Sequence, residues 1–164
     1  MGNVLVVGAG VAGMQASVDL ADSGHKVFLV EREDGLGGNL RSLVEVSPTG
    51  QKAADMLSAF LGKIENNKNI TVLKKAELVD FRGDFPDFHV TVKLPKEKRE
   101  LTTNAVVLAT GIQPFNPSVI KQYGYGRIKD VVTTVEFESM LREGRLQKPI
   151  NQKKPKSVVV VQGV

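Results

Sequence analysis

Residues Val4 to Gly13, VLVVGAGVAG, constrain this chain more than any others: a short apolar run passes directly into the glycine spacing G-x-G-x-x-G. The run has the length of a buried parallel strand. Gly8, Gly10 and Gly13 then fall where a tight turn, a close backbone approach and a close helix–strand contact are needed. A diphosphate at that turn meets the free N–H groups and positive end of the next helix. The triplet alone is a weak signal, because glycine-rich turns follow many strands. Here its context is complete. Helix-compatible residues run from Val11 to Ser23, Ser23-Gly24-His25 breaks them, and a second apolar strand, Lys26 to Val30, ends in Glu31. That acid lies 21 residues beyond Gly10, where a carboxylate accepts hydrogen bonds from an adenosine ribose. The pattern predicts a dinucleotide site.

Composition narrows the chemistry. At 164 residues the chain holds one domain with a real core, or one domain and the start of another. Cysteine is absent, which excludes disulfides, cysteine-ligated iron–sulfur clusters and a redox-active Cys pair within this chain. Electron chemistry must therefore come from a bound organic cofactor. Apolar stretches are a few residues each, too short for a membrane span. The N-terminal apolar run has no basic leader and breaks at once into glycines, unlike a signal peptide. Met1-Gly2 is not a myristoylation start, since position 6 is Val. A cytoplasmic location is expected. The net charge of +4 is modest, and the basic residues concentrate in segments 93–99 and 148–156, both rich in turn formers. These read as a solvated turn and a linker, and without interleaved aromatics they do not suggest nucleic acid.

After Glu31 comes a polar, glycine-rich loop, Arg32 to Gly50, containing Gly35-Leu36-Gly37-Gly38-Asn39. An amphipathic helix follows, with Ala53, Met56, Leu57, Phe60, Leu61 and Ile64 on one face. Ile70 to Leu73 reads as a third parallel strand. From Glu77 the period changes to two, predicting an antiparallel meander over about residues 77–102. Ala105 to Ala109 is the next buried run. Thr133 with Glu136 forms a capping box for a short helix, Val135 to Glu143, closed by Gly144. The expected fold is α/β: a Rossmann-like parallel sheet with helices on both faces and an inserted three-stranded meander. Residues 1–147 form the cofactor domain, 148–156 a linker, and 157–164 the first strand of a second, truncated α/β unit. That final run, VVVVQGV, echoes Val4 to Val11, as in a fragment or truncated form.

Three features favour FAD over NAD. Gly37-Gly38 brings backbone close to a pyrophosphate and ribityl chain, and Arg41 offers charge to phosphate. The first meander strand, near Glu77–Leu78, offers backbone groups to an adenine edge. Val106 to Gly111 is a buried strand ending in Ala109-Thr110-Gly111, with little side chain between backbone and cofactor.

Taken together, VLVVGAGVAG, the LVE ending at Glu31, LGGN and VVLATG resemble the FAD domain of the two-dinucleotide-binding flavoproteins. More narrowly, LADSGHKVFLVERE, LGGNL, ATGIQPFNP, YGYG and VVTTVEFE resemble the heterodisulfide reductase A proteins, almost end to end. The resemblance implies that Gly8, Gly10, Ala12 and Gly13 hold the FAD diphosphate and Glu31 the ribose. By the same resemblance, Arg32, Gly38, Asn39 and Arg41 line the diphosphate or flavin side, and Thr110 and Gly111 approach from the next strand. It also implies electron-transfer partners or iron–sulfur subunits, NAD(P)H as a donor to the full system, and flavin-based bifurcation. Homo-oligomer formation is left open. The departures are the missing cysteine segment after the GG loop, the missing ferredoxin-like inserts, and Gln162-Gly163-Val164 where a cysteine is expected. The chain also ends before the Gly-Asp segment that completes the FAD domain elsewhere in the superfamily, so binding is expected to be weak or to need a partner chain.

No Ser/His/Asp, carboxylate-pair or metal-spacing constellation stands out, and no catalytic acid or base is assigned. His25 and His89 read as structural. Two alternatives to the FAD oxidoreductase stay open: an NAD-dependent dehydrogenase domain, and a non-catalytic flavin-binding module of a larger electron-transfer complex.

Overall fold

The computed structural model describes residues 2–161. Its central sheet has four parallel strands: β1 (Asn3–Val7), β2 (Lys26–Glu31), β5 (Ile70–Lys74) and β9 (Ala105–Leu108). Their order is β5-β2-β1-β9, so the chain steps outward from β1 in one direction and then returns to its other side. Between β2 and β5 lie the short ribbon of β3 (Glu45–Val46) and β4 (Gln51–Lys52) and the helix α2 (Ala53–Glu65). The meander is β6 (Glu77–Asp84), β7 (Asp87–Lys93) and β8 (Lys98–Thr103), paired antiparallel in that order. The helix α1 (Val11–Asp22) follows β1, and α3 (Thr134–Arg142) follows the last strand.

Side-chain alternation divides the core into two layers. Val4, Val6, Val27 and Leu29 point to one face of the sheet, where they pack with Met14, Val18 and Ala21 of α1 and with Ala53 and Ile64 of α2. Leu5, Val30 and Leu73 point to the other face and meet Val90 and Val92 of the meander. The helical layer thus occupies one face only. The other is covered by the antiparallel sheet, whose β7 supplies the alternating apolar residues a further helix would have brought. Leu5 and Leu29 are fully buried, each contributing roughly 1.5–3 kcal/mol of apolar burial.

The amphipathic stripe predicted for α2 is the one that packs, with Met56, Leu57, Phe60 and Leu61 partly buried against the first layer. The predicted capping box is present at α3: the Glu136 N–H donates to the Thr133 hydroxyl, and the Thr133 N–H donates to the Glu136 carboxylate. Residues 158–161 are exposed and unpaired, because no neighbouring strand edge meets them; residues 162–164 of the expected final strand lie outside the described residues. Among the described residues, no helix is long and apolar enough to cross a membrane.

Candidate dinucleotide site

The reversal of strand order on either side of β1 opens a crevice at the carboxyl ends of β1, β2 and β9, where ligands bind in open α/β sheets. The turn from β1 into α1 forms its inner wall. Gly8 sits at φ +99°, and its N–H donates to the Val30 carbonyl at 2.8 Å. A side chain at Gly8 would run into the backbone carbonyl of Ala109, so β9 and this turn are packed backbone to backbone. Likewise a Cβ on Gly13, in the first turn of α1, would collide with the carbonyl of Gly8. Ala109 closes the same junction through an N–H donated to the Val7 carbonyl at 2.8 Å.

Gly10 differs from both. Its backbone is extended (φ −72°, ψ −173°), a conformation open to any residue, and a Cβ built there meets nothing within 4 Å. It is the N-cap of α1 and provides no side-chain cap, so the first N–H groups of the helix are left without that partner. Ala12 is exposed on this first turn.

The outer wall is Gly37 and the 3-10 helix Gly38–Ser42. Gly37 (φ +114°) donates its N–H to the Ala9 carbonyl at 2.7 Å, tying the walls together. Gly38 faces the Gly10 backbone, and a Cβ on it would lie 3.2 Å from Gly10 Cα. The Asn39 amide donates to the Ile112 carbonyl at 3.4 Å, beyond Ala109, Thr110 and Gly111, the last two exposed at the rim. Arg41 is exposed, with its guanidinium 3.5 Å from the Gly35 carbonyl of its own loop.

Glu31 is buried, and each carboxylate oxygen accepts one backbone N–H: Ala9 on Oε2 and Glu33 on Oε1, both at 2.8 Å. An ionised carboxylate has about four lone-pair positions, so acceptor capacity remains for ribose hydroxyls. The sequence motif predicts a ligand role for Glu31 and is silent on these two backbone bonds. Arg32 is exposed and pairs with Glu33 at 3.7 Å.

Leu78 does not reach the crevice with its side chain, which packs into the second core layer beside Val7 and Phe28. The residues that meet the end of β2 are Lys75 and Ala76, whose N–H groups donate to the carbonyls of Glu33 and Glu31. Lys75 adopts φ +52°, a turn between two strands that no glycine marks in the sequence. Also missed was the reach of α3 to the outer wall, through Glu138 and Arg142.

Hollows of about 460 Å³ beside Leu141 and Arg145 and about 550 Å³ beside Lys63 and Asn67 lie elsewhere and gather no nucleophile with a base. No cluster of three metal-ligating side chains occurs among the described residues.

Comparison with known proteins fits this geometry. The model of the pyridine nucleotide-disulphide oxidoreductase family matches residues 2–163. The chain belongs to that family. Membership places it among the oxidoreductase domains of that family. It is 26% identical over 242 residues to an iron-sulfur subunit of the CoB--CoM heterodisulfide reductase of Methanopyrus kandleri, covering 97% of this chain and 36% of that protein. A heterodisulfide reductase A-like protein of Archaeoglobus profundus is 38% identical over 90 residues, covering 55% of this chain and 13% of the relative. The chain thus spans about a third of the Methanopyrus relative. An alignment of 242 residues against a chain of 164 also means that this relative carries a long stretch with no counterpart here. Among solved structures, L-proline dehydrogenase from P. horikoshii shares the fold, with TM-score 0.61 and 24% identity over 67% of this chain and 22% of that one. The p-nitrophenol 4-monooxygenase PnpA from Pseudomonas putida does so with TM-score 0.57 and 14% identity over 74% of this chain and 44% of that one.

Proposed function

We propose that the crevice holds FAD with its diphosphate in the open space at Gly10 and the N-terminus of α1, and its adenosine ribose on Glu31. The single observation that carries this reading is Gly10. Gly8 and Gly13 are glycine because the protein's own backbone excludes a side chain, but nothing in the protein excludes one at Gly10. A side chain there would project into open space at the N-terminus of α1, which is space a diphosphate can take. The residues therefore fit the cofactor.

The N–H groups of the first turn of α1, among them that of Ala12, face an anion in this arrangement and the helix dipole favours it. Arg41, released from the Gly35 carbonyl, adds positive charge on the outer side, and Arg32 does so near the ribose. Asn39, Ala109, Thr110 and Gly111 border the flavin half, while the turn before Leu78 borders the adenine. FAD, when bound, supplies the redox chemistry, and the protein supplies binding, orientation and electrostatics.

In this reading residues 1–147 are the cofactor domain, 148–156 a linker, and 157–164 the start of a second unit. Iron–sulfur or disulfide-bearing partner proteins exchange electrons with the flavin in the cytoplasm, with NAD(P)H as a donor to the full system. The names of the heterodisulfide reductase relatives and the absence of cysteine support placing the clusters on other chains or segments. The test is the visible spectrum of the purified protein, followed by chromatography of any ligand released by heat. Released FAD, or FAD bound on titration, is the expected result. Binding of NAD but not FAD would overturn the reading.

A further inference from the structure

The outer wall has an anchor far along the chain. Arg142, in the last turn of α3, donates from Nη1 to the backbone carbonyl of Arg41 at 2.7 Å. The Glu138 carboxylate accepts the backbone N–H of Val44 at 3.1 Å. The two side chains stand one helical turn apart and so share a face of α3. Their targets bracket the end of the 3-10 helix, and both are backbone groups, so they fix the path of the wall rather than any side chain on it.

The helix has no fully buried residue, and its capping box holds its start without touching the wall. The wall itself starts from two glycines with positive φ, and Leu40 is the one buried residue of its 3-10 helix. Leu40 and the Gly37 N–H pin the near end. At the far end Leu43 packs against the first core layer and the Val44 carbonyl accepts the Ala53 N–H at 3.0 Å, while the Arg41 carbonyl and the Val44 N–H are held by α3.

We propose that Arg142 and Glu138 are positioning residues for the cofactor: through the Arg41 carbonyl and the Val44 N–H they hold the outer wall, with Arg41, in place beside the open space at Gly10, on the side of the diphosphate and the flavin half. This rests on the FAD reading of the crevice. Neither side chain touches the cofactor in this role. A wall freed at its far end leaves the adenosine end intact, because Glu31 and the α1 turn belong to the inner wall. The inference therefore concerns discrimination between a whole dinucleotide and its adenosine half.

The experiment is calorimetric titration of the full chain with FAD and, separately, with AMP, for the wild type, Arg142→Ala, Arg142→Lys and Glu138→Ala. Thermal melts without ligand are recorded alongside. Arg142→Ala is expected to weaken FAD about tenfold, the effect of losing one charge-assisted hydrogen bond, with AMP affinity and the melt unchanged. Arg142→Lys, which still reaches a carbonyl with a cation, is expected to recover most of the loss. Glu138→Ala tests the same wall from its other side should Arg142→Ala not fold. Wild-type FAD affinity in the alanine variants would overturn the proposal. So would parallel losses of FAD, AMP and melting temperature, which mark a structural role only. A wild type that binds no FAD would instead remove the cofactor reading itself, and this proposal with it.

Discussion

The inner wall of the crevice, Gly8 to Gly13, is clamped by the backbone of its own sheet, whereas the outer wall, Gly37 to Ser42, is held by one backbone bond from Gly37 to Ala9, one buried leucine and side chains arriving from α3. On the inner side the Gly8 N–H meets Val30, Gly8 presses on Ala109, and Gly13 presses on Gly8. None of these contacts can open without disturbing β1, β2 or β9. On the outer side Arg142 and Glu138 are polar, solvent-accessible and a hundred residues away in sequence. Regions with few buried apolar contacts open at low cost compared with the global unfolding free energy. The crevice therefore pairs a rigid half, to which the FAD proposal assigns adenosine and diphosphate, with a half whose placement is adjustable.

The contrast is sharpest between two glycines of one motif. Gly13→Val should destabilise the cofactor-free protein by more than about 3 kcal/mol in urea denaturation, since the added atoms meet backbone that cannot yield. Gly10→Ala should shift that denaturation curve by less than about 1 kcal/mol, the cost of replacing a glycine N-cap, and weaken FAD by roughly tenfold in titration calorimetry. Equal destabilisation by both would erase the distinction between a packing glycine and a ligand glycine. Glu31→Gln should cost stability and affinity together. Its amide group must face one of the two N–H donors now met by carboxylate oxygens, a penalty of about 1–3 kcal/mol in the same urea experiment. A loss of FAD affinity with no loss of stability would mean that Glu31 serves the ligand alone.

The smallest effect is expected at α3. Thr133→Ala removes its cap, worth about 1 kcal/mol, and should loosen the outer wall without touching the inner one, as followed by amide exchange. Acid should act in the same direction. Burial alone pushes the Glu136 carboxyl up, but hydrogen bonds from the Thr133 N–H and hydroxyl and from the Tyr125 hydroxyl outweigh it and hold the group below its ordinary range. A carboxylate depressed in the folded state stabilises at pH above its unfolded value, and that stabilisation is lost as pH falls through the folded value. The α3 resonances should therefore shift on acidification before those of α1 do. Simultaneous shifts would show the two walls to be one cooperative unit.

Local patterns carried the fold and half of the site. The β1 turn and the alternation of β7 write their periods into adjacent residues, and so does the apolar stripe of α2. Each was legible because burial repeats at a fixed spacing. The second function of Glu31 was not, since a motif names the ligand atom and is silent on which backbone groups share the carboxylate. The α3 anchor left no trace either: Arg142 and Glu138 bond to main-chain atoms, which look alike at every residue. Val158 to Val161, an apolar run that reads as a strand, is exposed and has no partner edge among the described residues. Leu78 was named for its backbone while its side chain belongs to the core.

The seam between β1 and β9 gives the crevice a place in time. Val4 pairs with Ala105, so about 100 residues of chain must be gathered before that ladder can form, while the meander closes through contacts between neighbours in sequence. Loop-closure entropy puts the slow event at β9, the strand whose end presses on Gly8. The crevice is thus among the last parts of the molecule to exist and among the first lost when the seam reopens. A ligand that binds only the closed seam adds to its stability by mass action, so the cofactor governs how long the fold, once completed, stays complete.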